Sequence, residues 1–454
     1  MINALFLGWV FSLLFMRFNV IGTLSVDNLV APLLLVLYVF VRPHPDVAAR
    51  NRRINTIAKV LVAFAILQLI TAVKLYTNPT LWTAMTWSLM KQAGYVIMPV
   101  LYIRDMKMLH RTSSILVLVA VVTSVAAFTG ALGVAPTFAQ FDSPLGTRIP
   151  GLLRARGFFI AVGDSALVFT YALMLIFTAT RKELLFGMGS TLVKFGLTII
   201  ILLGVVANQS RNIVLTLLVA LLLFVFFRSI LRRMTPEQRM MVLYVFFIFA
   251  GIMVVLIFYN FNRIFDLVVW SLGPEAAGSV NDRLESYWYS LMLLKKDLLL
   301  GLSSIDLNRE LEFVERVHNR WLVSALLYGL LGVASIAALC ISSVRGAMKV
   351  LVNPFLRRQA LVIFVFMFSA LLFSSNFYGA SSYIFWVMLG ITLSVHSIST
   401  RKEEYEYALW AQAQKSGPDD HDPMDEPPQG HEPRPGISQT DMFLGRTVGR
   451  NGST

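Results

Sequence analysis

The sequence predicts an all-α polytopic membrane protein: about twelve transmembrane helices and one large polar loop on a single side. Three observations carry that reading. The 454-residue chain is 56% hydrophobic and only 14% charged, with a mean hydropathy of +0.68, whereas a soluble fold carries about 25% charged residues. Apolar runs of about 18–22 residues recur, each long enough to cross the hydrocarbon core as a helix. One polar stretch, residues 260–319, interrupts them. A transmembrane β-barrel would instead show alternating segments of about ten residues, and the sequence has none.

Spans are expected at 2–23, 26–41, 57–77, 83–103, 113–133, 159–179, 186–206, 212–230, 240–260, 320–343, 359–375 and 380–397. Met1 to Met16 is apolar without a charged start or a small-residue cleavage site, so the first segment is expected to stay as a span. Basic residues set the orientation. Arg50, Arg52 and Arg53 follow the second span, Arg104, Lys107 and Arg111 the fourth, and Arg181 and Lys182 the sixth. Arg228, Arg232 and Arg233 follow the eighth, Arg345, Lys349, Arg357 and Arg358 the tenth, and Arg401 and Lys402 the twelfth. Every even-numbered exit is basic, which puts those links and both termini in the cytoplasm and the loop at 260–319 outside it. The same bias accounts for most of the net charge of +13, so nucleic acid is not an expected partner.

Residues 1–400 therefore form the membrane domain. Residues 401–454 change composition: Ser416 to Gly436 is rich in Pro, Asp, Glu, His and Gly and too poor in apolar residues to fold, so a disordered cytoplasmic tail is expected. His421 and His431 stand alone in it and make no metal site. The single cysteine, Cys340, lies in an apolar run, which excludes an intrachain disulfide and a cysteine-based metal centre.

Four clusters carry the chemistry on the extracytoplasmic side: Arg148 with Arg154-Ala155-Arg156-Gly157 and, one turn further, Asp164; Asn208-Gln209-Ser210-Arg211-Asn212; Asn281-Asp282-Arg283-Leu284-Glu285; and His318-Asn319-Arg320. An interfacial arginine ordinarily snorkels to lipid phosphates. Arg211 differs, because its link is short and its flanks apolar, so its charge needs a partner at the bundle mouth. A diphosphate suits it, since the planar guanidinium binds phosphate oxygens bidentately and stays charged. Several arginines on one side thus point to an anionic, lipid-linked substrate. His318 alone reads as an interfacial histidine. Beside Asn319 and Arg320, at the end of the polar loop, it is a candidate general base; nearby guanidinium groups favour its neutral ring. Lys91 and Lys194, inside spans, read as structural cations that pair or snorkel. No phosphate-binding glycine loop, HExxH, paired cysteines or nucleophile elbow is present in the sequence.

At these residues the chain resembles the O-antigen ligase-like family of bacterial membrane glycosyltransferases, which includes O-antigen ligases and polysaccharide polymerases. The resemblance runs in order over residues 150–345. It rests on Arg154, Gly157, Phe158 and Phe159; Ser210-Arg211 opening a span; Arg283, Trp288 and Leu291; Leu298 to Gly301; His318-Asn319; and Leu322 with Gly329 to Gly332. The chain departs from the family pattern at Gly301-Leu302-Ser303 and at Tyr328.

The resemblance implies an inverting, metal-independent glycosyl transfer on the periplasmic face of the bacterial inner membrane, with no cofactor. Its donor would be a glycan on undecaprenyl diphosphate, its acceptor a growing glycan or lipid A core, its surroundings membrane lipids. It gives Arg211 and Arg283, with Arg154, the role of holding the diphosphate, and His318 that of taking the acceptor proton. Asn319, Arg320, Arg156, Asp164 and Ser210 are the supporting candidates. Ligase and polymerase share this chemistry and stay open. A lipid-linked glycan flippase or polysaccharide transporter is the alternative; such proteins place ionisable groups near the midplane at repeat interfaces.

Reporter fusions test the charge argument. Fusions after Lys107 and Arg358 are expected to report cytoplasm, and one near Gly278 periplasm; a cytoplasmic signal at Gly278 would overturn the orientation.

Overall fold

Short capped links make neighbouring helices antiparallel, and three caps set most of the architecture. The computed structural model describes residues 2–12, 19–21, 24–25, 33–34, 36–38, 47–135, 153–158, 162–178, 190–209, 285–317, 320–349 and 380–398. Its helices are α1 (Ile2–Ser12), α2 (Val47–Leu75), α3 (Pro79–Tyr102), α4 (Met106–Ala131), α5 (Val162–Thr178), α6 (Thr191–Asn208), α7 (Ser304–Arg316), α8 (Arg320–Lys349) and α9 (Ala380–Ile398), with a further helical stretch at 285–294. All lie in one unit, Met1–Arg401. The fold is helical and membrane-embedded. Among the described residues, four helices are long and apolar enough to cross a membrane: Ala49–Leu75, Met106–Ala131, Thr191–Asn208 and Trp321–Ser343. On α2 and α6, Leu61, Leu69, Leu192, Phe195 and Val206 stand exposed, a surface suited to lipid rather than water.

At α3, the Leu81 N–H donates to Asn78 Oδ1 at 3.2 Å and Pro79 opens the helix, where its missing N–H costs nothing. At α4 the Met108 N–H donates to Asp105 Oδ1 at 2.6 Å, and at α6 the Val193 N–H donates to Ser190 Oγ at 3.3 Å. Two groups of helices result. In one, α9 packs on α3, α2 on α3, and α8 on both α2 and α9; in the other, α4 packs on α6, α5 and α1. Contact between α9 and α5 joins them. Phe385 to Leu389 are buried without interruption, which makes α9 a core helix apolar on every side.

The antiparallel order defines two faces. The α2–α3 link at 76–78, the end of α4 and the end of α6 share one, called upper here; the starts of α2, α4 and α6 share the lower. Lys74 Nζ donates to Leu327 O at 2.6 Å, and Lys59 Nζ to Ser342 Oγ at 3.4 Å, so α8 runs antiparallel to α2 and begins on the upper face.

Helix α8 is broken at Gly329, whose φ of 63° and ψ of −168° are non-helical. The break frees four backbone groups, and each is met. The Leu330 N–H donates to Leu298 O at 2.9 Å and the Leu331 N–H to Leu299 O at 3.4 Å, while Leu326 O accepts from the Leu302 N–H at 2.8 Å and Leu327 O from Lys74. The turn at 298–302 is thus threaded into the gap in α8. Inside a membrane this replacement is obligatory, since no water is present to satisfy an opened helix. Gly301, at φ +79°, admits the approach: a Cβ there would lie 2.7 Å from Ala325 O, and one at Gly329 would overlap the Leu299 carbonyl.

Seven expected spans meet described helices, with shifted ends: 57–77, 83–103, 113–133, 159–179, 186–206, 320–343 and 380–397 correspond to α2, α3, α4, α5, α6, α8 and α9. The span expected at 2–23 differs. The described part of α1 runs to Ser12, and Asn19–Ile21 pairs antiparallel with Leu24–Ser25, because the β-branched Val20 and Ile21 favour an extended chain. The spans expected at 212–230, 240–260 and 359–375, most of 26–41, residues 260–284 of the polar loop and the tail at 401–454 lie outside the described residues.

Replacing Gly329 or Gly301 by alanine is expected to lower stability by about 2–4 kcal/mol, combining backbone strain with overpacking. Gly94, with open space around its Cα, is the control: Gly94→Ala is expected to be neutral or stabilising by up to about 1 kcal/mol. Thermal unfolding of the purified protein in detergent measures both, and equal stability of all three variants would contradict the interlock.

Candidate functional site

The site assembles on the upper face from two seams. In the first, residues 153–158 cross between the ends of α4 and α6. The Leu153 N–H donates to Ala131 O at 2.9 Å and the Ala155 N–H to Ala207 O at 3.0 Å, which seats Ala155 among Ala127, Ala131 and Ala207. Only small side chains allow so close a seam. Either side of Ala155, Arg154 and Arg156 are half-buried, and Arg154 Nε donates to Asn208 O at 3.4 Å. A guanidinium at the carboxyl end of a helix also meets the negative end of its dipole. Asn208 is fully buried and its Nδ2 donates to Ser165 Oγ at 2.7 Å, tying in the first turn of α5, where Asp164 is the neighbouring position. Gln209 then closes α6 in a left-handed conformation, φ 52° and ψ 24°, immediately before Ser210-Arg211 in the sequence.

The second seam is the turn at 295–304 with α7. Asp297 Oδ1 accepts the N–H groups of Leu299 and Leu300, at 3.2 and 3.0 Å, and so shapes the turn that enters α8. The Asp297 charge also acts on Lys74. Ser303 caps α7: the Asp306 N–H donates to Ser303 Oγ at 3.2 Å, and Ser303 Oγ in turn donates to Asp306 Oδ2 at 2.8 Å. That bond first, then Lys296 at 3.0 Å, holds the Asp306 carboxyl below the usual carboxylate range. Leu307, Leu311 and Val314 follow at helical spacing and turn α7 onto α8. Tyr289 spans the stretch at 285–294 and α7, its hydroxyl donating to Glu310 Oε1 at 3.1 Å and its ring edge-on to Phe313 at 4.8 Å. The described part of the polar loop, 285–317, is therefore folded, not a loose excursion. Its last described residue, Val317, is fully buried, and α8 begins at Arg320.

The structure thus joins Arg154, Arg156 and the Asp164 turn at the end of α6. It sets Arg320 on the same face, on the other helix group. Asp164 and Arg320 are placed by their backbones. Ser210, Arg211, Arg283, His318 and Asn319 lie outside the described residues. Of the two intramembrane lysines, Lys91 sits over the Trp87 ring at 5.3 Å, one turn back on α3, and Lys194 lies in the first turn of α6. Sequence reasoning passed over Lys74. Its signal was a lysine in the last turn of an apolar span, which reads as an ordinary snorkelling cation.

No known family model matches this chain, and no curated protein matches it either.

Proposed function

We propose that this protein is an inverting membrane glycosyltransferase of the O-antigen ligase or polysaccharide polymerase type. It works on the periplasmic face of a bacterial inner membrane, within a bundle of about twelve spans whose termini are cytoplasmic. The observation that carries the reading is the gathering on one face of three things: the Arg154–Arg156 seam, the end of α6 that leads into Ser210-Arg211, and the interlocked turn beside the start of α8, which His318-Asn319 immediately precede.

In this reading the donor is a glycan on undecaprenyl diphosphate. Arg211 and Arg283, with Arg154, hold the diphosphate and stabilise the charge that grows on it as the anomeric C–O bond breaks. The acceptor hydroxyl, on a glycan or on lipid A core, attacks the anomeric carbon from the opposite side. His318 takes its proton, and the lipid diphosphate leaves. Guanidinium groups do the work of charge stabilisation, so no metal or cofactor enters the scheme.

Among the described residues, the gap in α8 is the feature that favours a transporter, because such proteins use discontinuous helices at the midplane. Here the gap is filled by the protein's own turn at 298–302, and it lies toward the upper end of α8.

His318→Ala is expected to cut transfer by about 10²–10⁴ while the protein still inserts, with lipid-linked glycan accumulating on the periplasmic side. Wild-type activity is expected to persist in EDTA, and Arg211→Lys to stay impaired because an ammonium cannot reproduce bidentate binding. An active His318→Ala enzyme, or glycan retained on the cytoplasmic side, would rule the mechanism out.

A further inference from the structure

The lower face holds a second group of cations that the proposed reaction does not use. Arg53, early in α2, is 3% exposed, too enclosed to snorkel to lipid. Its guanidinium bonds to the Tyr38 hydroxyl, and its Nε and Nη2 are buried with no hydrogen-bond partner among the described residues. The same holds for Nε and Nη2 of the adjacent Arg52. Arg104, at the end of α3, lies over the Tyr38 ring at 5.5 Å, and its charge acts on that of Arg53. Behind them, Tyr102 sits edge-on to Tyr38 at 5.9 Å and its hydroxyl bonds to Leu34 O. Among the described residues the neighbouring acid, Asp105, is engaged in capping α4.

Two mutually repelling guanidinium groups, one of them desolvated and with unmet donors, are costly as they stand. An anion between them removes both costs, since it satisfies the donors and cancels the repulsion. We propose that Arg52, Arg53 and Arg104, with Tyr38, form a binding site for a phosphate group on the face opposite the proposed catalytic site. Guanidinium forks match tetrahedral phosphate oxygens bidentately. A phospholipid headgroup and a free phosphate share that chemistry, and basic pockets between membrane helices on the cytoplasmic side suit the former. The proposal needs the protein to be membrane-embedded and does not depend on glycosyl transfer.

The test uses the full chain, purified in a neutral detergent and depleted of lipid. Its thermal stability is titrated with cardiolipin in one arm and with inorganic phosphate in the other, and retained phospholipid is counted by native mass spectrometry. A rise in Tm with cardiolipin alone assigns a lipid headgroup; a rise with inorganic phosphate assigns a free anion. In either case Arg53→Gln and Arg104→Gln are each expected to weaken the response about tenfold or more, the effect of losing a charged hydrogen-bond partner. Arg104, being less enclosed, serves where Arg53→Gln fails to fold. No rise with either ligand, or an undiminished response in the variants, would overturn the proposal.

Discussion

A helix opened inside a membrane must find new partners for its backbone, and the rest of the upper face follows from how this chain finds them. The break at Gly329 exposes two N–H groups and two carbonyls. The turn at 298–302 supplies three of the replacements and Lys74 the fourth. That single exchange fixes the end of α2, the turn and α8 to one another. It also fixes where the polar loop returns to the membrane, since α7 is capped directly from that turn by Ser303. A lysine is suited to the fourth position. It carries its own charge to a carbonyl that would otherwise be left bare, and the Asp297 carboxylate next to the turn offsets that charge.

On the upper face, Arg154 donates to the carbonyl of Asn208, and the Asn208 side-chain amide donates to the Ser165 hydroxyl. On the lower face, Nε and Nη2 of both Arg52 and Arg53 are buried with no hydrogen-bond partner among the described residues. Simple positive-inside charge needs only exposed side chains, so burying Arg53 is a cost that orientation alone does not explain.

Much of the membrane architecture was legible in the sequence because hydropathy reports burial in lipid directly. The apolar runs behind α4 and α6 could only be helices. The ends were less legible. Helix α2 starts at Val47, well before the expected span, because Arg50, Arg52 and Arg53 are good helix formers that hydropathy scores as loop. The strand pair after α1 was hidden for the opposite reason, since Val20 and Ile21 are as apolar as any span but prefer an extended chain. At the site, the motif Leu298 to Gly301 and the glycine pair from Gly329 were visible as separate signals. Their meeting was not, because it is made by backbone groups, which every residue carries alike. Lys74 was missed for the same reason: its partner is a carbonyl 253 positions away.

The central claim is that the upper face transfers a glycan from a lipid diphosphate. It is tested most directly by giving the purified, reconstituted protein a lipid-diphosphate-linked oligosaccharide and an acceptor glycan, then following both products. The account predicts release of the lipid diphosphate in step with a new glycosidic bond of inverted anomeric configuration. Movement of the intact lipid-linked donor across the bilayer without release of diphosphate, or a product with retained configuration, would contradict it.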